Sequence, residues 1–161
     1  MCLLLSVEDE LVDVRAHVMA QGLVPVGAAA AGRSGQRAAP GAIERIRIDP
    51  ETLEPRYRII GTELWSDEEG FDEAAKETGI TGICGSGIIE IIAEMYLSGI
   101  ITEDGVINGD LAAKSNRIFS DGRTFSYLIK DGEPKIIVTQ NDVRAIQLAK
   151  AALYAGIKLL M

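Results

Sequence analysis

Gly79-Ile-Thr-Gly-Ile-Cys-Gly-Ser-Gly-Ile88 runs directly into Ile89-Glu-Ile-Ile-Ala-Glu-Met-Tyr-Leu-Ser-Gly99. Glycines at 79, 82, 85 and 87, with Thr81 and Ser86 between them, give a backbone that can take positive φ and come close to another chain or a ligand. The residues after Gly87 have helical spacing. Ile88, Ile91, Ile92, Met95 and Tyr96 fall on one stripe, Ile89 and Leu97 widen it, and Gly99 closes it. This predicts a helix from Ser86, capped by that serine and buried on more than one side. A helix N-terminus beside a glycine loop presents free N–H groups and the positive end of the helix dipole, which suits a phosphate or another anion. The same glycines would also serve simple close packing of helix on sheet. The spacing matches neither G-x-x-x-x-G-K-[ST] nor G-x-G-x-x-G. Gly85 or Gly87 is therefore expected to sit where a Cβ would not fit.

Upstream of this stretch the hydrophobic period is two. Ile46 and Ile48 alternate with Arg45 and Arg47, Asp49-Pro-Glu-Thr52 is turn chemistry, and Arg56-Tyr-Arg-Ile-Ile60 alternates again. This pattern predicts two antiparallel strands with one wet face, their arginines in solvent. Trp65 to Ala74 is an acidic connector. Downstream, Thr124–Lys130 and Lys135–Thr139 flank Asp131-Gly132 and read as a hairpin. Thr139 can cap a last helix, with Asp142 in its first turn. That helix carries Val143, Ile146, Leu153, Ile157 and Leu160 on one face and Ala145, Ala149, Ala152 and Gly156 on another. It is still apolar at Met161, which predicts further elements against it. Near the start, Ser6 to Gln21 reads as a surface helix with Val7, Leu11, Val14 and Val18 on one face, and Gly27 to Gln36 as an irregular connector. His17 reads as a solvated side chain.

The chain has 161 residues, enough for one domain with a sizeable core. Aromatic residues make up 5%, so that core is aliphatic. A net charge of −8 argues against a nucleic-acid face, which needs a basic patch. No apolar run approaches the ~20 residues of a membrane span. Cys2 and Cys84 form no C-x-x-C pair, which fits a reducing, cytoplasmic setting without a metal site.

Three longer stretches, in order, resemble the C-terminal domain of the reductive activators of corrinoid proteins. They are Gln36-Arg-Ala-Ala-Pro-Gly-Ala-Ile-Glu-Arg-Ile-Arg-Ile-Asp49, Thr81-Gly-Ile-Cys-Gly-Ser-Gly-Ile-Ile-Glu90 and Thr139-Gln-Asn-Asp-Val-Arg-Ala-Ile-Gln-Leu-Ala-Lys-Ala-Ala152. The resemblance covers about Gln36 to Met161 and leaves residues 1–35 unassigned. It implies an α/β fold, part of an actin-like, ribonuclease-H-like ATPase domain of the acetate and sugar kinase, heat-shock protein and actin superfamily. Antiparallel strands and two main buried helices would make up this part. By the same resemblance the parent proteins use ATP, with Mg, to return a corrinoid protein from Co(II) to Co(I). The electrons come from a ferredoxin-type iron–sulfur domain. Gly82, Gly85, Ser86 and Gly87 are the candidate cofactor-binding residues, and no catalytic residue stands out.

The departures from that family are specific. Iron–sulfur ligation normally takes four thiolates, and this sequence has two cysteines. The superfamily's Asp-Gly-Thr phosphate loops are not seen upstream of Gln36, and its adenosine-contacting Gly-Gly loop belongs after the last helix. ATP hydrolysis by this chain alone is therefore not expected. Two other readings stand beside the activator: a fragment of a small-molecule kinase of the same superfamily, and a non-catalytic interaction module. The apolar last helix further predicts a homo-oligomer with Leu153, Ile157 and Leu160 at the contact. The competing arrangement folds residues 1–21 back over the same strip.

Overall fold

The computed structural model describes residues 35–160. The helix expected over Ser6–Gln21, His17 and most of the connector before Gln36 lie outside the described residues. The described residues form two sheets. The first contains β1 (Gly35–Gln36), β2 (Ala42–Ile48), β3 (Pro55–Ile59) and β4 (Gly82–Cys84), in the order β1-β4-β2-β3. The β2–β3 pair is antiparallel, as the alternation predicts, and β4 pairs in parallel with both β1 and β2. Gly35 and Gln36, the last residues of the stretch that reads as an irregular connector, thus belong to the sheet. Gln36 Nε2 also donates to Thr81 Oγ1 at 2.6 Å, tying β1 to the segment that leads into β4.

Between β3 and β4 runs α1 (Phe71–Ala75), whose Phe71 meets Tyr57 edge-to-face at 5.9 Å between ring centres. The long helix α2 (Gly85–Leu97) comes after β4 with no loop between. The second sheet is the antiparallel meander β5 (Ile118–Asp121), β6 (Thr124–Lys130) and β7 (Ile136–Thr139), entered through a short 3-10 turn at Gly109–Ala113. The chain then enters α3 (Gln140–Leu160). Both helices and the Asp131-Gly132 hairpin therefore fall where the sequence placed them.

One aliphatic cluster runs through both sheets, from Ile43, Ile46, Ile59 and Ile83 through Ile91, Met95 and Ile100 to Tyr127, Ile129, Ile136 and Val143. The pairing of β2 with β3 slips between Ile43 and Arg45, so Glu44 is an extra residue. This bulge reverses the parity of the strand, and Ile43 joins Ile46 and Ile48 in the core although it stands an odd number of positions from them. The β2–β3 turn is built by Asp49, whose Oδ1 accepts the N–H groups of Glu51 and Thr52, both at 2.8 Å. It delivers Leu53, buried and at φ 62°, to the second sheet. There the Tyr127 hydroxyl donates to the Leu53 carbonyl at 2.9 Å, and Arg117 Nη2 reaches Glu54 at 2.6 Å.

The expectation of two buried main helices is met by α2 and not by α3. Only the first turns of α3 are covered, with Gln140 and Val143 buried, while Leu148, Tyr154, Ile157, Leu159 and Leu160 are exposed. The reason is length. At 1.5 Å per residue the helix outruns the small sheet on which its first turn rests.

Burial pushes the Tyr127 phenol well above its ordinary value of about 10, only partly opposed by the Arg117 charge, and burial raises Tyr57 too. The folded state thus resists losing these protons while the unfolded chain gives them up near pH 10. Their stabilisation is complete below pH 10 and falls as pH rises beyond it. Tyr127→Phe leaves the Leu53 carbonyl unpaired and is expected to cost about 1–3 kcal/mol at neutral pH. It should also reduce the alkaline slope. Urea unfolding of both proteins between pH 8 and about 11.5 measures both effects.

Candidate functional site

Strand β4 ends at Cys84, and α2 starts at the next residue, so the strand-to-helix turn is made by Cys84, Gly85, Ser86 and Gly87. Cys84 is the residue before the first helical position, with extended φ −79° and ψ 169°. The serine is therefore not the cap that the sequence suggested. Ser86 lies in the first turn, and its Oγ meets the buried Cys84 Sγ at 3.0 Å. Among the described residues no side chain caps α2, and its first turn holds no acidic residue. The other long helix is finished differently. Thr139 Oγ1 accepts the Asp142 N–H at 3.3 Å, and Asp142 Oδ2 accepts from Thr139 N at 2.8 Å and Oγ1 at 2.7 Å. That reciprocal cap satisfies the N-terminus of α3 with its own groups. At α2 the first N–H groups keep their capacity to donate.

The four candidate residues have distinct jobs. Gly82 is buried within β4 and pairs with Ala42 of β2. Gly87 is buried against β2, where a Cβ would lie 2.5 Å from the Ile43 carbonyl oxygen and 2.7 Å from Ile83 Cγ2. It has to be glycine for the helix to lie this close. Among the described residues nothing lies within 4 Å of the corresponding point at Gly85. Packing thus explains Gly87, whereas no described neighbour explains Gly85, at the first helical position.

Further along α2, Glu90 and Glu94 do what sequence reasoning missed. Strand β4 covers β2 only at Ala42 and Ile43, so the N–H groups of Ile46 and Ile48 extend past its end. Glu90 Oε2 accepts from Ile46 N at 3.2 Å, and Glu94 Oε2 from Ile48 N at 3.1 Å. The same carboxylates hold the β2 arginines. Arg45 Nε reaches Glu90 at 3.1 Å, and Arg47 pairs with Glu90 and, at 3.7 Å, with Glu94. The two glutamates are 12% and 17% exposed, so these are partly buried pairs rather than surface decoration. Arg45 and Arg47 are accordingly not in free solvent as their alternation suggested. The available signal was the spacing of Glu90 and Glu94, one helical turn apart beside the Gly87-Ile91-Met95 stripe.

Among the described residues no group of three His, Cys, Asp or Glu is placed to hold a metal ion, and no helix is long and apolar enough to cross a membrane.

A family model for the C-terminal domain of RACo, the ASKHA domain, matches residues 18–161, starting upstream of Gln36. A corrinoid activation enzyme, RamQ, from Eubacterium limosum is 35% identical over 136 residues, covering 78% of this chain and 20% of the enzyme. A solved structure of a reductive activator for a corrinoid, iron–sulfur protein superposes with a TM-score of 0.62 at 28% identity, covering 79% of this chain and 18% of the other. The chain thus spans about a fifth of the length of these relatives.

Because the Gly87 contact is with backbone, it cannot be relieved by a rotamer change. Gly87→Ala is expected to lose about 1–3 kcal/mol by overpacking. Gly85→Ala, which meets no described neighbour, should stay within ~0.5 kcal/mol of the parent chain. Equal urea midpoints for the two variants would show that α2 is not held against β2 at this point.

Proposed function

The chain belongs to the family of the C-terminal ASKHA domain of RACo, and from that premise we propose that it is part of an ATP-dependent activator that returns a corrinoid protein from Co(II) to Co(I). The electron is supplied by a ferredoxin-type iron–sulfur domain outside these residues, and the setting is cytoplasmic. The observation that carries the nucleotide part of this reading is the uncapped N-terminus of α2, beside Gly85 and Ser86. A helix start with free N–H groups, no first-turn carboxylate and no side chain at Gly85 fits a phosphate group. The amides of Gly85, Ser86 and Gly87 would hold a phosphate of the nucleotide there, and ATP with Mg, acted on by the whole activator, would supply the free energy that reduction to Co(I) requires.

The residues of this chain do the positioning. Gly87 and the Ile43 carbonyl fix how close α2 lies to β2. Glu90 and Glu94 lock the helix along the strand. The amides of Gly85, Ser86 and Gly87 are then held in place before the phosphate arrives, so little ordering remains to be done on binding. Movement of this turn would be passed to β2 through the glutamates, a direct route from nucleotide to sheet.

A second reading, an interaction module, is favoured by α3. Leu159 and Leu160 are 88% and 90% exposed, and Ile157 and Tyr154 stand open beside them. An apolar strip of this kind is normally covered. A second copy of the chain is the proposed cover, with Ile157 and Leu160 at its centre and Leu153 beside them. Light scattering across a concentration series should give a dimer or larger species that Ile157→Glu/Leu160→Glu converts to monomer. A monomer throughout would favour cover by residues 1–21 instead.

Ser86→Asp separates fold from nucleotide binding. A first-turn carboxylate favours the helix dipole, so stability should hold or rise slightly. The same charge repels phosphate. Mg-ATP is expected to shift the amide resonances of Gly85, Ser86 and Gly87 in the parent chain, and Ser86→Asp should weaken that binding about tenfold or more, equivalent to ~1.4 kcal/mol. Shifts that avoid this turn, or an unaffected variant, would remove it from the nucleotide site.

A further inference from the structure

A cleft of about 540 Å³ lies well along the chain from the β4–α2 turn, where the 102–110 loop, the β5–β6 turn and the first turns of α3 meet. Its volume is within the range of small-molecule sites. Two hydrogen bonds and one close ring contact tie its walls together. Buried Gln140 accepts from Ile107 N at 2.8 Å and donates to the Gly105 carbonyl at 2.7 Å, clamping the loop to the start of α3. The Phe125 ring lies directly over Gly109, so closely that any side chain there would displace it. Phe125 and the half-exposed Val106 give the cleft an apolar part.

Arg123 and Arg144 both line the cleft. Among the described residues neither makes an ion pair, and neither does the exposed Arg37 far from it in sequence, whereas Arg45, Arg47, Arg56, Arg58 and Arg117 are each paired with a carboxylate. In a chain of net charge −8 carboxylates are plentiful, so two guanidinium groups left without one at the same cleft point to a ligand. Asp110 also borders the space, leaving one net positive charge there. The N-terminus of α3 carries its own Thr139–Asp142 cap, so the arginines are the charged groups that attract an anion here.

We propose that this cleft binds a small organic anion, its phosphate or carboxylate group between Arg123 and Arg144 and its apolar part against Phe125 and Val106. Guanidinium forks suit both headgroups, and the apolar wall selects against a bare inorganic ion. The site uses none of the residues of the β4–α2 turn, so it stands whether or not that turn binds nucleotide.

The test is a titration of the labelled 161-residue chain with phenyl phosphate, benzoate and inorganic phosphate, monitored by amide resonances. Phenyl phosphate or benzoate at millimolar concentration should shift Val106, Gly109, Thr124 and Phe125, and inorganic phosphate should do so more weakly. The two organic probes decide between a phosphate and a carboxylate headgroup. Arg123→Ala or Arg144→Ala should each weaken binding about tenfold, the lysine variants less, and added salt should weaken it further. Both side chains are exposed, so unchanged thermal unfolding is expected and verifies that the variants fold. Undiminished shifts in the double alanine variant, shifts confined to Cys84–Gly87, no shift at all, or binding of an acidic peptide but neither organic probe would each overturn the proposal.

Discussion

Everything in the first sheet depends on how α2 finishes the edge of β2. Strand β4 gives β2 a neighbour only at Ala42 and Ile43 and then turns into helix. A helix cannot continue a ladder, so the N–H groups of Ile46 and Ile48 would be left open at a partly buried edge, at a cost of about 1–3 kcal/mol each. Glu90 and Glu94 supply the missing acceptors, and Arg45 and Arg47 balance their charge. Removing any one of these groups strands another, which is why partly buried pairs cost more to break than they contribute when made. The arrangement exists only because Gly87 lets the helix approach to the distance at which a glutamate side chain reaches a strand amide.

The same contact sets the character of the β4–α2 turn. With the third helical residue packed against Ile43, the turn that carries Gly85 and Ser86 is anchored to β2. The N-terminus of α3 has the reciprocal Thr139–Asp142 cap instead, and the nearby cleft relies on arginine side chains. Two helix starts in one small domain are thus handled in opposite ways, one closed by its own sequence and one left open.

Much of this was legible from residue order. The alternation around Ile46 and Ile48, the Asp49 turn, the Asp131-Gly132 hairpin, the stripe of α2 and the Thr139 cap all express local rules, and local rules suffice for them. Family resemblance was legible as well, because three motifs in order are far more specific than one glycine loop. What escaped was non-local. A three-residue strand such as Gly82–Cys84 has no period to read, so the parallel pairing of β4 with β1 and β2 left no trace. The bulge at Glu44 hid Ile43 behind the wrong parity. Arg45 and Arg47 looked solvated because their partners lie more than 40 positions away. The start of α2 escaped because Ser86 resembles a cap, while the strand runs straight into the helix and Cys84, two residues earlier, holds the cap position. The exposure of α3 depends on how far the second sheet extends, which no periodicity encodes.

Native-state hydrogen exchange tests the central claim most directly, that helix carboxylates stand in for a missing strand along β2. The account predicts that the amides of Ile46 and Ile48 exchange as slowly as those of the paired β2–β3 ladder, opening only with the whole domain, and that Glu90→Gln and Glu94→Gln speed Ile46 and Ile48 respectively. Rapid exchange at Ile46 and Ile48 in the parent chain, at the rate of an open sheet edge, would contradict it.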